Sequence, residues 1–187
     1  MHSRKKMWTL AVGMLAAVAI LTGCESSVAA PDAFEPMVAE RGAATALDAH
    51  GDLMKAVRQK TARFNSTTQA VRAGYAADEH CAAHPELGGM GYHWINGPLI
   101  DPVFDPLQPE VLLYEPGSGN QPRLVGVEYI VIDVGQPHPH FGDHPFDVGG
   151  VPPLMEAGVP HYSLHVWVHK DNPSGPFAPF NPDVSCN

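Results

Sequence analysis

Eleven histidines stand beside eleven lysines and arginines in the 187-residue chain, and imidazole is the commonest protein ligand for transition metals. Near the C-terminus Tyr162, Leu164, Val166 and Val168 alternate with His161, Ser163, His165, Trp167 and His169. Residues two apart on a strand face the same way, so one face of this segment is apolar and the other carries imidazoles. His93 sits in an earlier β-like run and Glu128 in another. Together they suggest a mononuclear site using His93, His161 and His165, with Glu128 as a fourth ligand or as the partner that orients one ring. Three imidazoles with an open position suit a catalytic or sensory zinc, and Met90, three residues before His93, brings copper into consideration. The rival reading makes His93 and His165 core histidines, hydrogen-bonded to carbonyls or to Glu128 beside Trp94, Val166 and Trp167. His138, His140 and His144 lie in a proline-rich stretch that is either a loose metal-scavenging loop or a solvated one.

Other chemistries leave no mark. The chain has no His-Glu-x-x-His, no Gly-x-Ser-x-Gly elbow, no phosphate-cradling glycine loop and no Cys-x-x-Cys-His. Asp101-Pro102 and Asp105-Pro106 offer carboxylates to calcium or, more simply, start turns.

The elements that must position these residues fall into two halves. From Glu40 to Phe64, Leu47, Met54, Val57, Thr61 and Phe64 recur at helical spacing. Ser66-Thr67-Thr68-Gln69 has the form of a capping box opening a second short helix. After Ala77 glycine and proline become dense, and β-like runs appear at Gly91–Asn96, Val111–Glu115, Leu124–Val134 and His161–Lys170. The turn formers of 116–122 join the second and third of these as an antiparallel hairpin. The stretch from Gly135 to Pro160 has no strand pattern and suits a lid or binding loop. The expectation is an α+β fold: N-terminal helices packed on a curved antiparallel sheet, curled as far as a partial barrel.

The N-terminus carries Arg4, Lys5 and Lys6, then an apolar stretch from Met7 to Leu21 and Leu21-Thr22-Gly23-Cys24. This has the charged and apolar regions of a signal peptide and is short for a spanning helix. Its last four residues resemble the lipobox of bacterial lipoproteins. The resemblance implies cleavage after residue 23, lipidation of Cys24 and acylation by palmitate-like chains, with the membrane as partner through the anchor. Glu25 in place of aspartate leans toward the outer membrane facing the periplasm, if the envelope has one. Residues 24–40 then form a tether and 41–187 one globular domain. Without Arg4, Lys5 and Lys6, Lys+Arg falls from 11 to 8 against 20 Asp+Glu, a formal charge of −12 that makes nucleic acid a poor partner. Cys81 and Cys186 remain, in a compartment where disulfides persist, and are expected to pair. The alternative is two separate thiols, one a metal ligand beside His80 or His84.

Gly89-Met90-Gly91-Tyr92-His93-Trp94-Ile95-Asn96, Leu112-Leu113-Tyr114-Glu115-Pro116, Leu124-Val125-Gly126-Val127-Glu128-Tyr129, Leu164-His165-Val166-Trp167, Asn172-Pro173-Ser174-Gly175 and Asn181-Pro182-Asp183-Val184-Ser185-Cys186 together resemble an uncharacterised group of exported bacterial proteins. That resemblance spans nearly all of the expected domain and brings no activity with it. Three functional readings therefore stand: a metal-binding envelope lipoprotein, a metal-independent ligand-binding or envelope-interaction module, and a metal-dependent enzyme.

Overall fold

The computed structural model describes residues 38–186, so the leader, Cys24 and most of the expected tether lie outside the described residues. Helix α1 (Val38–Thr61) runs through Gly51, and a 3-10 turn at Ala62–Asn65 buries Phe64. The helical spacing read from the sequence puts Val57 and Thr61 fully inside, with Leu53 and Met54 packed against the core. Helix α2 (Thr67–Arg72) begins where expected, but the Ser66 side chain makes no cap hydrogen bond. The Ser66 carbonyl instead accepts from the amides of Gln69 and Ala70, which starts the turn without the box. Among the described residues no helix is long and apolar enough to cross a membrane.

Eight strands follow: β1 (Ala76–His84), β2 (Gly88–Ile95), β3 (Val111–Glu115), β4 (Arg123–Ile132), β5 (His140–Phe141), β6 (His144–Pro145), β7 (Asp147–Val148) and β8 (His161–Val166). Six form an antiparallel sheet in the order β1-β2-β3-β4-β8-β7, while β5 and β6 pair separately. The fold is therefore α+β, with an open sheet whose edges are β1 and β7 rather than a closed barrel. The expected hairpin across 116–122 is the β3–β4 pair. The expected loop from 135 to 160 instead contains β5 to β7 and a short helix α3 (Pro152–Glu156). Two-residue strands are too short to leave a periodic signature.

Strand alternation sorts the core into two layers. Leu112, Tyr114, Val127, Tyr129, Val131, Leu164 and Val166 point to the helices and join Val57, Phe64, Phe141 and Phe146. Val111, Leu113, Ile130 and Trp167 point the other way and form a smaller cluster with Val125 and Val184. The C-terminal segment completes this second layer. Asn181 exchanges backbone hydrogen bonds with Gly89, the Trp167 indole donates to the Ala178 carbonyl, and Cys81 is bonded to Cys186 across 105 positions. The expected disulfide is thus present, which removes the reading of two free thiols. Both Arg123 and Lys170 pair with the buried carboxylate of Glu115 at the sheet's end.

Candidate metal centre

The smaller face carries the polar residues that the sequence singled out. Register places Ile95, Val111, Glu128 and His165 in one row across β2, β3, β4 and β8, with His93 two pairs further along β2, opposite Leu113. Strands β2 and β8 are three strand spacings apart, about 14 Å in a flat sheet. The rings of His93 and His165 nevertheless lie 5.9 Å apart between centroids, edge to face at 86°. A gap of that size closes only where the sheet curls toward this face and both rings lean inward over Glu128.

One potential ligand atom from each of His93, Glu128 and His165 lies within 4.8 Å of the other two. Glu128 and His165 are buried, and the His93 side chain is 17% exposed. Nε2 of His93 is 3.7 Å from Oε2 of Glu128, beyond hydrogen-bond reach. Nε2 of His165 is buried with no hydrogen-bond partner among the described residues. A buried polar atom left so costs about 1–3 kcal/mol, and protein interiors seldom carry that cost without a use for it. Burial drives the His165 imidazole down to about 3 in pKa, with the nearby His93 adding to the shift, so the ring is neutral and its lone pair available. His93 is lowered by burial too, opposed by the Asp78 carboxylate and by the backbone of Gly91. Burial, with the charge of Glu110 behind it, pushes the Glu128 carboxyl up to about 8. Two neutral imidazoles and a carboxyl that surrenders its proton to an arriving cation are a transition-metal donor set. Donor atoms on one tetrahedral ion sit about 3.3 Å apart, so binding would draw the three groups together by about 1.5 Å at most.

Beside them lies a cavity of about 310 Å³ that also reaches Met90, Cys81 and the segment 150–153. Strict alternation would turn Met90 and His93 to opposite faces. The β1–β2 register slips between the Ala82–Gly91 and Ala83–Gly89 pairs, leaving an extra residue on β2. Gly91 supplies the bulge, with φ of +94° and a Cβ position only 2.5 Å from the Tyr114 carbonyl oxygen, so no other residue fits there. The bulge brings Met90 round to the cavity wall.

His161 does not join the centre, which corrects the expected three-histidine set. On β8 it faces the same side as His165 but four residues away, about 13 Å along the strand, opposite Ile132 rather than Glu128. No single ion with bonds near 2 Å reaches both. Both ring nitrogens of His161 are used: Nδ1 donates to the Val159 carbonyl and Nε2 accepts from the Val151 amide. The ring therefore fastens the 150–153 segment that walls the cavity.

The loop histidines form no set of three: the rings of His138 and His140 lie 5.7 Å apart, but no third donor group among the described residues joins them. His138 donates through Nε2 to the Phe146 carbonyl, His140 through Nδ1 to the His138 carbonyl, and His144 stacks on Phe177 at 4.1 Å between centroids. Among the described residues His93, Glu128 and His165 form the one cluster of three or more such groups able to hold an ion. Asp101 and Asp105 accept backbone amides from Val103 and Leu107, as turn-starting aspartates do. Sequence reasoning missed the contribution of β1, whose Asp78, His80 and Cys81 line the cavity. It also missed Glu110, whose carboxylate accepts the Ile130 amide and is raised to about 8 by burial. The chain matches no family model, no curated protein and no solved structure.

Proposed function

We propose that this chain is a lipid-anchored protein of the bacterial cell envelope that binds one zinc or copper ion through His93, Glu128 and His165. The observation that carries the metal reading is the unpartnered Nε2 of buried His165, within a ligand's span of two other donor groups. Met90 on the same cavity wall supplies a soft thioether and favours copper; the carboxylate favours zinc. Support for the envelope comes from the basic and apolar leader ending at Leu21-Thr22-Gly23-Cys24 and from the Cys81–Cys186 disulfide, a bond that persists outside the cytoplasm.

The test is the metal content of the untagged mature protein, native and after loading with zinc or copper, against a His93→Ala, His165→Ala double variant. One tightly held ion per chain is expected in the wild type and none in the variant. Equal, substoichiometric metal in both would overturn the reading. A metal-independent binding module would then take its place, because the 310 Å³ cavity is large enough to hold a small ligand without an ion.

A further inference from the structure

Charge and shape at the centre restrict what a bound ion could meet next. A divalent ion held by two neutral imidazoles and one carboxylate keeps a net charge of +1, and a buried net charge is costly unless an anion balances it. The protein compensates that charge only in part: Glu110 is held at the Ile130 amide, outside the cavity lining, and Asp78 lines the cavity at its exposed end, where its Oδ1 accepts from the backbone and ring of His80. The rest of the wall is hydrocarbon and thioether, from Met90, Ile95, Val111, Ile130, Val151 and Pro152. Ile95 and Val111 continue the very row that carries Glu128 and His165, so apolar surface begins one strand away from the donors.

We infer that the cavity receives a small monocarboxylate with an apolar body, its carboxylate completing the coordination of the ion and its hydrocarbon lying against Ile95, Val111 and Val151. The inference rests on the metal reading above. A guest of one negative charge neutralises the centre, whereas an amine adds to its charge and an alcohol leaves it unbalanced. About 310 Å³ is near the lower limit for ligand pockets, which suits short aliphatic or single-ring acids.

The experiment uses the mature disulfide-bonded protein loaded with cobalt(II), whose visible bands report its coordination. Acetate, butyrate, hexanoate and benzoate are titrated in, with butylamine and butanol as controls, followed by absorbance and calorimetry. The acids should shift the cobalt bands at one equivalent, with affinity rising about fourfold per added methylene until the cavity is full, and the controls should not. Val151→Trp should fill the cavity, retaining cobalt while weakening hexanoate at least tenfold. Ile95→Ser, at the half-exposed mouth, should weaken hexanoate and spare acetate. Cobalt bound but blind to every acid, or affinity independent of chain length, would overturn the inference and leave the metal reading standing. Acids bound equally well after the metal is stripped would overturn the inference, since the ion would then take no part in holding them, and leave the metal reading standing. Failure to take up cobalt would overturn both.

Discussion

The two faces of the sheet are made from the same alternating strands, yet the buried tyrosines of one and the His165–Glu128 pair of the other are treated differently. Beneath the helices, the Tyr75 hydroxyl donates to the Pro109 carbonyl, Tyr114 to Phe64 and Tyr129 to Pro106, at 2.6 to 2.8 Å. Each aromatic body fills space while its polar tip is satisfied. On the other face Nε2 of His165 has no hydrogen-bond partner among the described residues and Glu128 has a 3.7 Å neighbour, beside a cavity. One face satisfies its tyrosine hydroxyls; the other leaves a buried ring nitrogen beside open volume. The contrast extends to what holds each face together, because the helix-side cluster is the larger and the smaller one is closed by the C-terminal segment and its disulfide.

The largest effect should come from that crosslink. Reducing Cys81–Cys186, or replacing it by the double change Cys81→Ser, Cys186→Ser, removes a constraint across 105 positions. On the chain-entropy account this costs about 4 to 5 kcal/mol. Urea unfolding with and without reductant measures it, and amide exchange should locate the loosening at Asn181–Ser185 and the β1–β2 hairpin rather than at α2. A loss below about 1 kcal/mol would mean that the second face coheres by packing alone, and the contrast would fail.

A sharper comparison sets one side chain from each face against the other. Leu112→Ala, under the helices, should cost about 2 to 5 kcal/mol through the cavity it opens and leave metal binding intact. His165→Leu should do the reverse. Replacing an unsatisfied buried imidazole by hydrocarbon of similar size should stabilise the metal-free protein by about 1 kcal/mol and abolish metal uptake. Thermal unfolding of both variants without metal, beside their metal stoichiometry, checks the pair. Strong destabilisation by His165→Leu would return this ring to the role of an ordinary core histidine.

How far the sequence carried this reading depended on whether the deciding interactions were local. Alternation in β8 put His161 and His165 on one face, and the runs at Val111–Glu115 and near Leu124–Val134 were legible as continuous β-branched and apolar stretches bounded by turn formers. What the strand pattern left open was which histidine meets Glu128. That is set by the antiparallel register of β4 on β8, a long-range fact. The distance along the strand was available, however: four residues span too much length for His161 and His165 to share an ion. Strand β1 was illegible for another reason. Ala76–His84 is rich in alanine and charge, and it is a strand because β2 pairs with it, context overriding weak propensity. The turn of Met90 into the cavity depended on a bulge for which Gly91 was the one local sign.

The smallest expected effect is the acid response of a single histidine on the helix side. At the edge of the helix-side core, Nε2 of His169 lies 2.8 Å from the Thr61 hydroxyl, whose own proton goes to the Val57 carbonyl. His169 therefore donates to Thr61, and burial, assisted by Arg58, lowers its pKa to about 4, which keeps the ring neutral near pH 7. The unfolded chain binds a proton near pH 6.5, and the folded protein does not until about pH 4. Between those values unfolding takes up a proton, so stability falls as pH drops through the window. The ring keeps some solvent, and screening reduces the effect to about 1 kcal/mol. The raised carboxyls of Glu110 and Glu128 act with opposite sign, losing stability as pH rises toward 8, and the lowered His165 acts with the same sign, so the His169 contribution must be read by difference. Urea unfolding of wild type and His169→Gln at pH 4.5 and 7 isolates it: the variant should lose less stability on acidification, with metal binding unchanged at pH 7. Parallel acid responses in the two proteins would mean that His169 protonates in place, and that the helix-side face tolerates a charge it is argued here to exclude.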